Sequence, residues 1–142
     1  MSLNRFATAF EAQEAFYAAL QAADLSQMMT VWAEDDDIVC IHPGGSRHAG
    51  INDVRESWRR IFSSGPELKF ELLAERTWPG RLMSVHSLHE RISHVAESFA
   101  PTLAAATNIY VLTERGWRMM LHHASPLPGQ TAEVEASPTI LH

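Results

Sequence analysis

The stretch that decides the fold of this 142-residue chain is Ile38-Val39-Cys40-Ile41-His42-Pro43-Gly44-Gly45. Its β-branched residues predict a short strand, and the Pro-Gly-Gly that follows ends the strand in a loop. His42 therefore lies at the end of the strand, where the chain leaves the sheet.

Amphipathic helices are predicted on both sides of this strand. Apolar residues recur at helical spacing from Thr8 to Ala23, with Thr8 as the N-cap, and a second helix runs from about Leu25 to Ala33 behind Asp24. After the loop, the same spacing returns from Ile51 to Phe62. The short strand is thus embedded among three helices.

The second half of the chain predicts strands instead. Segments without helical periodicity are separated by the turns Pro79-Gly80 and Glu114-Arg115-Gly116. We interpret them as long antiparallel strands over Leu68 to Trp78, Arg81 to His94, Ser98 to Thr113 and Trp117 to Ser125.

Helices followed by a run of strands are typical of an α+β domain. We expect three N-terminal helices to pack on one face of a curved, mostly antiparallel sheet that encloses a cavity. The domain is placed at residues 1–126. Residues 127–142 carry several prolines and little apolar surface, so we expect a C-terminal arm that is disordered or lies on the surface.

Composition excludes several classes of function. The formal net charge of −6 leaves no basic field for nucleic acid or an anionic membrane. No apolar run approaches membrane-spanning length, and the first residues do not resemble a secretion signal, so a cytoplasmic protein is expected. Cys40 is the single cysteine, which rules out an internal disulfide or a multi-thiolate zinc site.

The order of elements, together with a set of short motifs, resembles the SnoaL-like branch of the nuclear transport factor 2-like superfamily. The resemblance implies a cone-shaped roll, the cystatin-like α+β fold. The resemblance covers roughly Ala7 to Pro126. Members include ketosteroid isomerases, polyketide cyclases, dehydratases, ligand binders and association domains, so the resemblance does not choose a reaction. The motifs are Asp24-Leu25, Trp32-Ala33-Glu34-Asp35-Asp36, His42-Pro43-Gly44, Ala49-Gly50, Trp117-Arg118 and His122-His123-Ala124-Ser125-Pro126.

The similarity to ketosteroid isomerases implies roles for individual residues. His42 stands where those enzymes have the aspartate base, and Phe16 stands where they have an oxyanion tyrosine. Asn108 falls near their second oxyanion donor and can still donate a hydrogen bond. Trp32 and Trp58 occupy positions of further pocket tyrosines, which implies a more apolar cavity.

Histidines of the later strands are additional candidates. Alternation on the last strand puts His123 and His122 on opposite faces. The family comparison implies that His123, with Leu121 and Ser125, forms a wall of the pocket, while His122 faces outward. His86 and His89 also lie on opposite faces of their strand, and the sequence does not say which face is inward.

Each candidate also has a purely structural interpretation. His42 could bond only the turn that follows it, His123 could bond a neighbouring strand, and Asn108 could be a satisfied core amide. Phe16, Trp32 and Trp58 are core residues first and pocket lining second.

Two hypotheses of function follow. In the first, the protein binds a hydrophobic small molecule and is an isomerase, cyclase or dehydratase of a carbonyl compound. His42 is then the base, and Asn108 with His123 or Ser125 holds the oxyanion, without a cofactor or a metal. In the second, it is a non-catalytic dimerisation or ligand-sensing module. Both include a homodimer formed through the outer face of the sheet.

Overall fold

The computed structural model describes residues 6–96 and 100–127 of the chain. Three helices pack against a six-stranded sheet. The helices are α1 (Ala9–Ala22), α2 (Leu25–Val31) and α3 (Ile51–Ser64). The Thr8 side chain accepts a hydrogen bond from the Glu11 N–H and so begins α1, as the capping signature predicts.

The strands follow the order β2-β1-β6-β5-β4-β3 across the sheet. Neighbours are antiparallel except β1 and β6, which are parallel. The predicted α+β architecture, with three helices on a mostly antiparallel sheet, is therefore confirmed. The strands are β1 (Val39–Ile41), β2 (Arg47–Ala49), β3 (Leu68–Pro79), β4 (Met83–His94), β5 (Thr102–Thr113) and β6 (Gly116–Pro126).

Two elements differ from the sequence-based expectation. Strand β2 was not predicted, because three residues after a Pro-Gly-Gly turn are too few to show alternation. Helix α2 ends at Val31 rather than Ala33, since Trp32 is extended and forms a bridge with Met119 of β6. The Ala33 N–H donates to the Met119 carbonyl at 3.0 Å. Sheet pairing has replaced the last helical turn.

Some expectations concern residues outside the described ranges. The predicted start of the third long strand at Ser98 lies in the gap at 97–99, and β5 begins at Thr102. Of the predicted arm over 127–142, residues 128–142 are likewise outside the described residues. Within the ranges that are described, no helix has the length and apolar character needed to cross a membrane.

The core lies between the helices and the sheet. Its largest side chains are fully buried and come from both halves of the chain, which is how the helices and the late strands are held together. They include Phe16 of α1, Met28 of α2, Trp32, Trp58 of α3, and Met119 of β6.

Two β-bulges change which side chains face this core. Between β5 and β6, Ile109 pairs with Leu121 and Tyr110 pairs with Met119, so Met120 is an extra residue in β6. Between β3 and β4, pairing is interrupted after Leu73, where Ala74 has φ 54°. Alternation on β3 and β6 therefore changes phase along the strand.

Candidate functional site

A group of hydrogen-bonded polar side chains lies between α1 and the inner face of the sheet, and we call it the interior polar cluster. All of its members are buried. Helix α1 supplies two of them at i and i+4, the spacing that puts side chains on one face of a helix. The members are Gln13 and Tyr17 of α1, Ser84, His86 and Glu90 of β4, Asn108 and Tyr110 of β5, and His122 of β6.

Asn108 joins the two sides of the cluster. Its Oδ1 lies 2.6 Å from Nδ1 of His122, and its Nδ2 donates to the Tyr17 hydroxyl at 3.1 Å. Tyr17 in turn donates to Oε2 of Glu90 at 2.6 Å. Since the carbonyl oxygen of Asn108 only accepts, Nδ1 of His122 carries the proton. A continuous chain of hydrogen bonds thus runs from β6 to β4 through α1.

Gln13 connects the remaining part of the interior polar cluster. Its Oε1 accepts from Nδ1 of His86 at 3.0 Å and from the Tyr110 hydroxyl at 3.0 Å, with Asn108 Nδ2 more distant at 3.4 Å. Its Nε2 donates to Oε2 of Glu75 at 3.1 Å, and Glu75 lies within the β3 bulge. One helical amide therefore connects three strands.

Burial sets the protonation of this cluster. It raises the pKa of Glu90 to about 7, and the hydrogen bond from Tyr17 offsets part of that rise. Burial also raises the pKa of Tyr17 well above its ordinary value. The pKa of His122 falls to about 3, mainly through burial and also through the charges of His42 and His123. At neutral pH the imidazole of His122 is neutral, whereas Glu90 is protonated in part of the molecules.

His42 lies just after β1, half-buried. Its Nε2 is 3.1 Å from the Ser57 hydroxyl, and its ring meets that of Trp58 edge-on at 4.6 Å between centroids. Burial, with a contribution from His48, lowers the pKa of His42 to about 4. The Trp58 ring also lies 6.4 Å from that of His122. One aromatic side chain therefore contacts both His42 and the interior polar cluster.

The orientation predicted for the last strand is wrong. His122 is buried beside Asn108, whereas His123 is exposed on the outer face, with Ser125 exposed and Leu121 half-buried. Counting alternation from Trp117 fails because Met120 is inserted by the bulge, which turns His122 and not His123 toward the helices. The inward histidine next to Asn108 is His122.

Phe16, Trp32 and Trp58 are buried in the hydrophobic core, as their structural interpretation predicts. Phe16 packs edge-on against Trp58 at 5.8 Å and against its neighbour Tyr17 at 4.8 Å between ring centroids. Within the part of the chain that the structure describes, the indole N–H groups of Trp32 and Trp58 have no hydrogen-bond partner. Phe16 stands where ketosteroid isomerases have a tyrosine, and in this chain the next residue, Tyr17, carries the hydroxyl group.

Sequence reasoning missed most of the cluster. The i, i+4 spacing of Gln13 and Tyr17 was a signal that both point to one side of α1. On β4, His86 and Glu90 share a face by alternation, and the structure shows that this face is inward. Among the described residues, no group of three or more metal-ligating side chains is positioned to hold a metal ion.

Comparison with known proteins identifies relatives of the chain. A family model described as a SnoaL-like domain matches residues 11–129. No curated protein is similar enough in sequence to match.

Solved structures are also similar. A candidate calcium/calmodulin-dependent protein kinase type II association domain from Thiobacillus denitrificans is 36% identical, with a TM-score of 0.77 over 87% of this chain and 98% of that chain. A candidate dehydratase of the NTF2-like family from Streptomyces avermitilis is 24% identical, with a TM-score of 0.76 over 84% and 94%. An NTF2-like protein from Pseudomonas putida is 16% identical, with a TM-score of 0.75 over 94% of each chain. The last two show the fold alone.

Proposed function

Because the chain belongs to the SnoaL-like family, we propose that it binds a small hydrophobic carbonyl compound and transfers a proton next to the carbonyl group, without a cofactor. This is the chemistry of an isomerase, a cyclase or a dehydratase. The interior polar cluster is the proposed site, because a general acid–base group needs a pKa near the working pH and hydrogen-bond donors beside it.

The observation that carries the proposal is the contact between Tyr17 and Glu90. A carboxyl group with a pKa of about 7 takes and returns a proton at neutral pH. The Tyr17 hydroxyl donates to this carboxyl group at 2.6 Å, and the Asn108 amide donates to that hydroxyl at 3.1 Å. In the proposed reaction Glu90 moves the proton. Asn108 turns its Nδ2 donor from Tyr17 to the enolate oxygen, and Tyr17 turns its hydroxyl proton from Glu90 to the same oxygen.

His42 remains a second candidate for the base, as the sequence predicts. Its neutral imidazole accepts a proton at pH 7, but a group with a pKa of about 4 is a weaker base than Glu90. The two assignments predict different pH–rate profiles. With His42 as the base, the rate is level above about pH 5, whereas with Glu90 it rises through pH 7.

The test is exchange of the α-protons of small cyclic ketones in D₂O, followed by NMR. We expect exchange that depends on the protein, that rises through pH 7 and that is lost in Glu90→Gln. Glu71→Gln is the control, since Glu71 is an exposed carboxylate on the neighbouring strand. Full activity in Glu90→Gln together with loss in His42→Gln would move the base to His42. No exchange by the folded wild type would overturn the proposal.

A non-catalytic association module is the second candidate, and the 36% identical association domain favours it. On the outer face of the sheet, Val85, Ile109 and Leu121 pair in one row across three strands and are half-buried. An apolar row of this kind suits a homodimer. A variant Ile109→Lys is expected to be monomeric by sedimentation, whereas Glu14→Lys on the exposed side of α1 is not. A dimer without ketone exchange would favour the module.

A further inference from the structure

A second set of reactive side chains consists of members of the interior polar cluster that take no part in the proposed proton transfer, and it lies beside a groove of about 250 Å³ at the start of α1. Ser84 of β4 lines this groove, and its hydroxyl lies 2.8 Å from Nε2 of His86. The groove is mostly apolar, and its walls come from the beginning of α1, the β3–β4 turn and β6. They are Ala7, Thr8, Ala9, Phe10, Pro79, Gly80, Ser84 and Trp117.

The hydrogen-bond partners fix the direction of each bond. Gln13 directs Nε2 at the carboxylate of Glu75, so its Oε1 faces His86 and accepts. Nδ1 of His86 therefore carries the proton, and Nε2 presents a lone pair. The Ser84 hydroxyl donates to that lone pair. A serine that donates to Nε2, with Nδ1 held by an acceptor, is the arrangement that activates a nucleophile.

A serine–histidine contact elsewhere in the described part of the chain, between Ser57 and His42, has the opposite direction. Ser57 donates its proton to the Val54 carbonyl at 2.8 Å, so its oxygen accepts from Nε2 of His42. That hydroxyl cannot pass its proton to the imidazole. The same two residue types therefore form an activated pair at Ser84 and an unreactive pair at Ser57.

The groove also offers a place for developing negative charge. Ala9 and Phe10 are the first two residues of α1, and both line the groove. N–H groups in the first turn of a helix have no acceptor within the helix, and the helix dipole favours an anion there. Thr8 caps the N–H of Glu11, further along the same turn.

We propose that Ser84, His86 and Gln13 form a second reactive site, which hydrolyses esters of small apolar carboxylic acids. The Ser84 Oγ bonds to the ester carbonyl carbon as its proton passes to Nε2 of His86. The C–O bond to the alcohol then breaks, and the alcohol leaves with that proton. Water, activated by His86, attacks the acyl-serine and releases the acid and the free hydroxyl. Gln13 is a positioning residue that holds the imidazole.

Burial and shape restrict the substrate. Ser84 is 2% exposed, so an acyl group has to enter the groove to reach it. Phe10, which is 49% exposed, packs its ring 5.0 Å from that of His86 and forms an apolar wall. A short aliphatic or a flat aromatic acyl group fits these dimensions. His86 pairs with Asn108 across β4 and β5, and Gln13 lies 3.4 Å from its Nδ2. Asn108, Tyr17 and Glu90 nevertheless supply no group to the ester reaction, so this inference does not depend on the proposed proton transfer.

The first experiment treats the full chain with a p-nitrophenyl butyrate ester and with a fluorophosphonate, and locates the adducts by peptide mass spectrometry. We expect the label on Ser84, and we expect Ser84→Ala to lower ester hydrolysis by about 100-fold or more. Ser57→Ala and Ser87→Ala are controls that keep the activity. Labelling of other residues only, or equal hydrolysis by folded Ser84→Ala, would overturn the proposal. Mapping on the wild type decides the question even if a variant does not fold.

The role of Gln13 is tested by Gln13→Glu. A carboxylate at Nδ1 raises the pKa of His86, so the acidic limb of the pH–rate profile for the ester is expected to move to higher pH. The side chain of Gln13 also contacts two titratable groups, Glu75 and Tyr110. Because the Glu75 carboxylate would lie next to the new one, the measurement is repeated with Glu75→Gln in the same chain. An unchanged profile in both backgrounds would remove Gln13 from the mechanism.

Discussion

His122 donates the proton on Nδ1 to the side-chain oxygen of Asn108 over 2.6 Å, with both residues buried in the interior of the sheet. Asn108 in turn donates to Tyr17, so the amide is tied to a histidine on one side and a tyrosine on the other. A buried amide with bonds in both directions cannot be replaced by an apolar residue of similar size without leaving polar partners unpaired.

Asn108→Leu is therefore expected to lower the free energy of unfolding by about 2–4 kcal/mol, because His122 loses the acceptor and Tyr17 loses the donor. Urea denaturation of both proteins measures the change. Thr107→Val is the matched control, since Thr107 is exposed on the opposite face of the same strand and is expected to change stability by about 0.5 kcal/mol or less. Similar losses in the two variants would contradict the assigned faces.

The neighbouring histidines of β6 are expected to differ in reactivity. Diethyl pyrocarbonate should modify His123 rapidly and His122 only after unfolding, because His123 is exposed and His122 is 3% exposed. Mass spectrometry of the modified peptide, with His122→Asn and His123→Asn as references, distinguishes the two sites. Rapid modification of His122 in the native protein would mean that the Met120 bulge is not present.

The tautomers of His42, His86 and His122 are expected to differ. His122 and His86 carry the proton on Nδ1, since their partners are the amide oxygens of Asn108 and Gln13. His42 carries its proton on Nε2, because Ser57 donates its own proton to the Val54 carbonyl and its oxygen can only accept from His42. Long-range ¹H–¹⁵N correlation spectra at pH 7 separate the two forms. A single tautomer for all three would refute the direction of these bonds.

Glu90 makes the protein less stable as the pH rises, which is the opposite of what a paired surface carboxylate does. Its pKa rises from an ordinary 4.5 to about 7 on folding, so between these values the native state binds more protons than the unfolded state. Stability from this group is complete below about pH 4.5 and is lost as the pH rises through 7.

Relative to Glu90→Gln, the wild type is expected to lose about 3 kcal/mol of unfolding free energy between pH 4.5 and pH 8. Urea titrations of both proteins across this range measure the difference. The histidines shift stability equally in the two proteins, so they cancel from the comparison. A constant difference between the proteins would show that the Glu90 pKa is not raised.

The sequence was sufficient for the architecture but not for the site. Helical spacing, the Pro-Gly-Gly stop after β1 and the turns near Gly80 and Gly116 are local signals, and they predicted three helices and the long strands with errors of a few residues at their ends. Asn108 was identified as the counterpart of an oxyanion donor or as a satisfied core amide, and the structure buries it among hydrogen-bond partners.

The features of the site that the sequence did not predict depend on how the strands pair with one another and pack against the helices. The position of Met120 as an extra residue is defined only by its pairing with β5, so counting along β6 could not reveal that His122 faces inward. The same is true of Glu90, whose raised pKa comes from the helix that covers it and not from its neighbours in sequence.

The parallel pairing of β1 with β6 has a consequence for synthesis of the protein. Val39 pairs with Leu121, about 80 residues later in the chain, so β1, which has β2 on one side, gains its neighbour on the other side only after the last described strand has been made. Until then, the first three helices emerge from the ribosome with their apolar sides uncovered. Contacts between distant parts of a chain form slowly and leave intermediates prone to aggregation. Truncation or stalling before β6 is therefore expected to produce a chain that needs a chaperone.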